Sequence, residues 1–170
     1  DAKGLLIQSI RDNDPVMFCE HKMLYGEEEE GPEESYQIPL GEARVVREGS
    51  DVTVVALGRM VHLAVEAAGE LEEQGISVAV IDPRTISPLD VDTILDSVEE
   101  TGRVVVVDEA TPICSMASEI ASMIVSDGFS SLRAPIRKVT APHTPVPASP
   151  VLEAGYAPTA ASIREAVEAV

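Results

Sequence analysis

The residues of this chain best suited to chemistry lie in short segments rich in oxygen or marked by a histidine. The first is Ser9 to Pro15, SIRDNDP. A helix that ends in such a turn leaves its last carbonyls unpaired beside the Asp12, Asn13 and Asp14 oxygens, and hard cations are held by oxygen cages of this kind. The same residues equally make an Asx turn that caps the helix before Pro15. The second is Val104 to Ala110, VVVVDEA, where a run of four valines delivers Asp108 and Glu109 to its end. An acidic pair so placed holds magnesium in a phosphate-loop ATPase. That chemistry also needs a glycine loop closing on Gly-Lys, and no Gly-Lys pair occurs in the chain. Asp108 and Glu109 are therefore read as strand-end residues facing a loop or a partner.

Gly58 and Arg59 follow a strand and precede a helix, a place where backbone amides and a cation can meet an anion. A lone glycine without a GxGxxG pattern fits a plain turn better. His62, just inside that helix, has no Cys or carboxylate at metal-ligand spacing and reads as a surface residue. His143, in TAPHTPVP, is held by prolines on both sides at the end of a strand. No nucleophile or carboxylate is placed by sequence to work with it, so an interface role is favoured over an acid–base one. His21, in EHKMLYG, carries the same two readings. Cys19 and Cys114 form no CxxC pattern; one sits in an apolar run and the other near a helix start, which implies two buried free thiols.

The elements that must position these groups follow from periodicity. Leu5, Leu6, Ile7 and Ile10 lie on overlapping turns of a helix, and the apolar run Val16 to Cys19 reads as a strand. Glu27 to Glu34, EEEEGPEE, cannot bury itself and reads as a solvated linker. Strand character returns at Ala43 to Arg47 and Val52 to Ala56, with turn formers Glu48 to Asp51 between. Val61, Ala64, Val65, Ala68 and Leu71 keep helical spacing up to Gly75. Val78 to Ile81 and Val104 to Val107 are continuous apolar runs, as expected of strands buried on both faces. A helix runs from about Val91 to Glu99, another carries the stripe Ile113, Met116, Ile120 and Met123, and Ile136 to Thr140 is a final strand. The Pro-rich Ala141 to Pro150 is an extended loop, and Ser162 to Val170 a closing helix. This alternation predicts an α/β fold: three layers, α/β/α, around a mostly parallel sheet of about five strands. Ligands or partners then gather at the carboxyl ends of the strands.

Thirty acidic residues against twelve basic give a formal charge of -18, which repels phosphate backbones and anionic lipid alike and argues against nucleic acid and membrane partners. Only three basic residues are lysines, which fits either a salt-adapted source or simply an acidic surface. Aromatics make up 3%, so the core is packed with Val, Ile, Leu and Ala. No apolar run reaches the length of a membrane span, and a reducing cytoplasm is the expected compartment.

DAKGLLIQSIRDNDPVMFCEHKMLYG, PLGEARVVREGSDVTVVALGRMVH, IDPRTISPLD, GRVVVVDEA and TAPHTPVPASPVLE, taken in order, resemble the beta subunit of the thiamine-diphosphate-dependent decarboxylase component of 2-oxo acid and acetoin dehydrogenase complexes. The resemblance runs through nearly the whole chain. It implies that residues 1–26 close a pyrimidine-binding domain whose beginning is missing, that 27–37 form an acidic linker, and that 38–170 are a transketolase C-terminal-like domain. Residues 1–25 are accordingly expected to pack poorly. In that family the assembly contains two alpha and two beta subunits and passes an acyl group to a lipoyl arm. The catalytic glutamate and histidine of the beta subunit would precede Asp1, and the alpha subunit would supply the thiamine diphosphate and magnesium site. This chain would then bind neither cofactor itself.

The implied task is assembly with the alpha subunit, a second beta subunit and the dihydrolipoyl acyltransferase core. In relatives the SIRDNDP turn binds potassium, so the resemblance assigns the Ser9 and Asp12 carbonyls and the Asp14 carboxylate as its ligands; Asn often stands where Asp14 does. Partner docking is expected at Arg133, from the resemblance, and at His143, from its place at a strand end, and two departures from the family pattern stand beside it. Arg133 replaces an acidic residue of the LEAP or LDAP pattern that grips a basic partner domain, and Cys114 SMASE stands where relatives have GGFGAE. EHKMLYG, VALGRMVHLAV and PHTPVPASPVLE lean towards the acetoin and pyruvate branches. The rival readings are the C-terminal domain of a transketolase or deoxyxylulose-phosphate synthase, and a free-standing α/β interaction module.

Overall fold

The computed structural model describes residues 1–170. Its centre is a five-stranded sheet of order β1-β3-β2-β4-β5: β1 Arg44–Arg47, β2 Val52–Ala56, β3 Val78–Asp82, β4 Val104–Asp108 and β5 Arg137–Thr140. β2 pairs in parallel with both β3 and β4, and β4 with β5. Every residue of β2 and β4 is buried, which is why their sequences, VTVVA and VVVVD, are predominantly apolar rather than alternating. One face of the sheet, built from Val54, Val80, Val105 and Val107, packs against α2 (Met60–Glu72) and α6 (Ala160–Glu168). The other, built from Val55, Ile81, Val104 and Val106, packs against α3 (Val91–Thr101) and α4 (Met116–Gly128). The expected three layers are present.

The first strand departs from the simplest reading of its neighbourhood. Glu48 to Asp51 do not make a hairpin; β1 steps past β2 and adds antiparallel to the outer edge of β3, with a register shift between Val45 and Arg47. Asp51 and Ser50 clamp the turn to Ser77, with the Ser77 N–H donating to Asp51 Oδ2 at 2.7 Å and the Asp51 N–H donating to the Ser77 carbonyl at 2.8 Å. The chain crosses β3 so closely that a Cβ at Gly49 would lie 2.2 Å from Ala79 N, a passage only glycine permits.

Helix boundaries follow local chemistry. Asp90 caps α3, accepting from the Thr93 N–H at 3.0 Å. Gly102 ends that helix in the left-handed region, φ 68°, as glycine does most readily. Ser115 caps α4, and Thr159 with Ser162 forms a capping box on α6. No helix is long and apolar enough to cross a membrane.

Several expectations are corrected. Val16 to Cys19 is not a strand but irregular chain with Val16, Met17 and Cys19 exposed; an apolar run becomes a strand only beside another strand with free N–H and C=O groups, and none adjoins it. Both cysteines are exposed rather than buried. Ile113 lies outside α4 and is exposed. The Pro-rich loop ends in a short helix, α5 Pro150–Glu153, which Pro150 starts because its missing N–H costs nothing at a first helical position.

The N-terminal region divides in two. Helix α1, Ala2–Arg11, is seated: Gly4 is buried against Tyr36 and Ile38, and Lys3 Nζ donates to the carbonyls of Pro32, Glu33 and Glu34 at 2.6–3.0 Å, binding the acidic segment back to the helix. The stretch after it has no such seat, with a single 3-10 turn at Lys22–Leu24.

Candidate functional site

The parallel strands β2, β3, β4 and β5 end together, and the turns after them gather the charged groups. Asp108, the last residue of β4, is buried and both of its oxygens are engaged. Oδ1 accepts from the Ala110 N–H at 3.0 Å and Oδ2 from the Ala117 N–H at 3.3 Å. It thus ties the loop after β4 to the start of α4. The Ala110 carbonyl in turn accepts from the Ala141 N–H at 3.1 Å, joining this loop to the one after β5.

This folding of the loop projects Glu109 outwards. Its Oε2 lies 2.6 Å from His21 Nε2, and its Oε1 lies 3.9 Å from Nη1 of Arg59 in the turn after β2. The Met23 N–H donates to His21 Nδ1 at 3.2 Å, which leaves Nε2 as the protonated nitrogen, donating to the carboxylate. With one ring nitrogen accepting from the backbone and the other donating to Glu109, no nitrogen is free to take a proton from a substrate. The pair ties His21 to the loop after β4. Gly58, at φ 55°, is the plain turn expected, and it aims Arg59 at this cluster. His62 is exposed as expected.

A second cluster lies at the end of β3, in IDPRTISPLD. Arg84, at φ 57°, donates its N–H to Asp82 Oδ1 at 2.9 Å and reaches Asp1 Oδ1 at 3.8 Å and the Ala43 carbonyl at 3.3 Å. Its Nε is buried without a partner. Arg44 of β1 also meets Asp1, at 3.2 Å, so two arginines hold the first turn of α1 against the sheet edge. Burial pushes the Asp82 carboxyl above its ordinary range, against the lowering effects of the Arg84 N–H and of the Arg84, Arg44 and His62 charges. Asp90 shows the opposite balance. Burial opposes its charge, but hydrogen bonds from the Ala43 N–H, the Thr93 N–H and the Thr93 hydroxyl, together with Arg84, outweigh burial and hold the carboxyl below its ordinary range.

The candidate potassium ligands lie at the exposed end of α1. The Asp14 N–H donates to Asp12 Oδ1 at 3.0 Å, which is the Asx turn. The Ser9 and Asp12 carbonyls and the Asp14 carboxylate accept no hydrogen bond from the chain, so the three proposed donors are oxygens still able to take a hard cation. A magnesium role for Asp108 does not fit, since the loop amides occupy both of its oxygens. The two docking candidates are not brought together. Arg133 precedes β5 at the amino end of the sheet, donating its N–H to the Gly102 carbonyl at 2.7 Å with its stem over Gly102. His143 follows β5 at the carboxyl end and is exposed. An open groove of about 500 Å³ between α2 and the α5–α6 segment is lined by Arg59, Leu63, Glu66, Glu70 and Arg164 among others. Its two cations already face carboxylates, Arg164 meeting Glu70 at 2.9 Å and Arg59 meeting Glu109, so it is not a ready anion site.

Residues 41–163 match the family described as Transketolase, C-terminal domain, and the chain belongs to that family. It is 58% identical over 166 residues to the subunit beta of acetoin:2,6-dichlorophenolindophenol oxidoreductase of Cupriavidus necator, an alignment covering 98% of this chain and 49% of the relative. It is 52% identical over 150 residues to the pyruvate dehydrogenase E1 component subunit beta of Bacillus subtilis, covering 88% of this chain and 46% of that one. Among solved structures it is similar to a split-gene transketolase, an inactive beta4 tetramer, with a TM-score of 0.70 and 32% identity over 78% of this chain and 43% of the other. The chain spans about half the length of the curated relatives it matches.

Proposed function

We propose that this chain is the assembly and partner-docking domain of the beta subunit of a thiamine-diphosphate-dependent 2-oxo acid dehydrogenase acting on pyruvate or acetoin, and that it contributes no catalytic residue of its own. The observation that carries this is the 58% identity, sustained over 98% of the chain, to an acetoin-oxidising beta subunit. A transketolase is the second reading, favoured by the split-gene neighbour at 32% identity; the higher identity and fuller coverage of the beta subunits place it second. On the first reading the partners are an alpha subunit, a second beta subunit and the dihydrolipoyl acyltransferase core, in the cytoplasm. Residues 1–26 then belong with a pyrimidine-binding domain, 27–37 are the linker and 38–170 the domain proper. Potassium would be held by the Ser9 and Asp12 carbonyls and the Asp14 carboxylate. Arg133 and His143, at opposite ends of the sheet, would serve two different contacts.

Thiamine diphosphate, when bound in the assembly, supplies the carbanion chemistry of decarboxylation. A tight site for it needs preorganised groups around a metal-bound diphosphate, whereas here Asp108 is consumed by loop amides and Glu109 by His21 and Arg59. Titration calorimetry of the chain with thiamine diphosphate and magnesium is expected to show no saturable binding at micromolar concentrations, roughly -8 kcal/mol. An alpha subunit from an acetoin or pyruvate system should co-purify with the chain. A one-to-one cofactor isotherm, or failure to capture any alpha subunit, would overturn the reading.

A further inference from the structure

We propose that the loop after β3 is a clasp whose side chains continue the β1–β3 ladder where the backbone cannot, and so set the direction in which the chain enters the sheet. The two strands run antiparallel, with Arg44 opposite Asp82. The next step of that register falls on Pro83, which has no N–H to give, and Arg84, at φ 57°, then turns the chain away. Backbone groups of residues 41–43 are thereby left without a strand to pair with, and side chains of the loop take three of them. The Ala43 N–H donates to Asp90 Oδ2 at 2.7 Å, Arg84 Nη2 donates to the Ala43 carbonyl at 3.3 Å, and the Gly41 N–H donates to Thr85 Oγ1 at 2.9 Å.

The grips are themselves held. The Thr85 hydroxyl donates to the Pro88 carbonyl at 2.8 Å, which turns a lone pair towards Gly41. Asp90 Oδ1 accepts from the Thr93 N–H at 3.0 Å and Oδ2 also accepts from the Thr93 hydroxyl at 2.8 Å, so one carboxylate holds both the first turn of α3 and the entry to β1. Apolar contact adds to the polar ones. Ala43 and Leu89 both pack on the core between the sheet and α3, and Gly41, at φ 88°, lies so near the loop that a Cβ there would come within 2.9 Å of Pro88 Cγ. All of these atoms belong to residues 38–170, so the clasp is complete within the domain. Arg84 also reaches Asp1 Oδ1 at 3.8 Å, which brings α1 to the same loop. The clasp rests on this geometry and stands whether or not the chain serves a dehydrogenase.

Amide hydrogen exchange on the full chain tests it, using Gly41 and Ala43 as reporters of the clasp, Thr93 as reporter of the α3 cap and the β2 amides as the internal reference. Thr85→Val, which removes the hydroxyl and keeps the branched shape, is expected to speed exchange at Gly41 about tenfold relative to β2, from the typical net strength of a hydrogen bond. Ala43, whose own partners are untouched, should speed up with it, because grips on one short segment are coupled. Thr85→Ser, which keeps the hydroxyl, should restore both rates. Asp90→Ser retains one oxygen to cap α3 and has no second for Ala43, so it is expected to speed Ala43 about tenfold and Thr93 by less. An Ala43 rate unmoved by Thr85→Val would overturn the clasp, leaving separate contacts. Unchanged Ala43 exchange in Asp90→Ser, or acceleration of the β2 amides equal to that of the reporters, would each overturn it as well.

Discussion

Asp82 and Asp90 stand eight positions apart in IDPRTISPLD and respond to pH in opposite senses. Asp90 has a lowered folded-state pKa, so its charge adds stability that is complete above the unfolded value near ~3.9 and is lost as pH falls through the folded one. Asp82 has a raised folded-state pKa. Between ~3.9 and that raised value the native state binds more protons than the unfolded one, so stability falls as pH rises through the window. Asp90→Ala, which removes the α3 cap, is expected to cost about 1–2 kcal/mol at neutral pH, with the loss shrinking below about pH 4. Asp82→Asn, which can still accept from the Arg84 N–H, is expected to be more stable than the parent at pH 7 and to lose that advantage near pH 4. Urea midpoints at the two pH values check both, and a neutral-pH loss for Asp82→Asn would show that its ion pairs outweigh its burial.

At the scale of elements, what was legible in the sequence and what was not divide on physical grounds. Val52–Ala56, Val78–Asp82 and Val104–Asp108 announce themselves because burial on two faces leaves no polar alternation, and the helices between them because one stripe must meet the sheet. Pairing leaves no such local trace. Nothing in RVVR tells that β1 skips β2 for the edge of β3, and nothing around His21 tells that its partner is Glu109. Val16 to Cys19 misled because apolar composition states a need for cover and not its source. The β1 crossing can be tested by two glycines. Gly49→Ala puts a Cβ 2.2 Å from the β3 backbone and is expected to destabilise by about 2 kcal/mol or more. Gly69→Ala, in the interior of α2 with open space around it, is expected to stabilise by about 0.5–1 kcal/mol. Thermal melts that fail to separate the two would remove the close passage from the account.

For the whole molecule, charge and apolar surface pull against each other. Net charge of -18 opposes contact between copies, while Ile10, Met17, Met23, Phe129, Val146, Val151 and Leu152 are all largely exposed. Salt screens the first over a Debye length of about 8 Å at physiological strength and leaves the second intact. Self-association is therefore expected to rise with salt in sedimentation velocity, and strictly monomeric behaviour at high salt and high concentration would count against it. The four basic residues of β1 and β5, the strands that close the sheet's edges, are Arg44, Arg47, Arg137 and Lys138, and they disfavour edge-to-edge pairing.

The seat of β1 on β3 also sets an order in time. During synthesis β1 leaves the ribosome before any strand it can join, because its partner Val78–Asp82 is made only after β2 and all of α2. At about 5–20 residues per second, that interval is of the order of seconds. Through it the segment that carries β1 waits without a template.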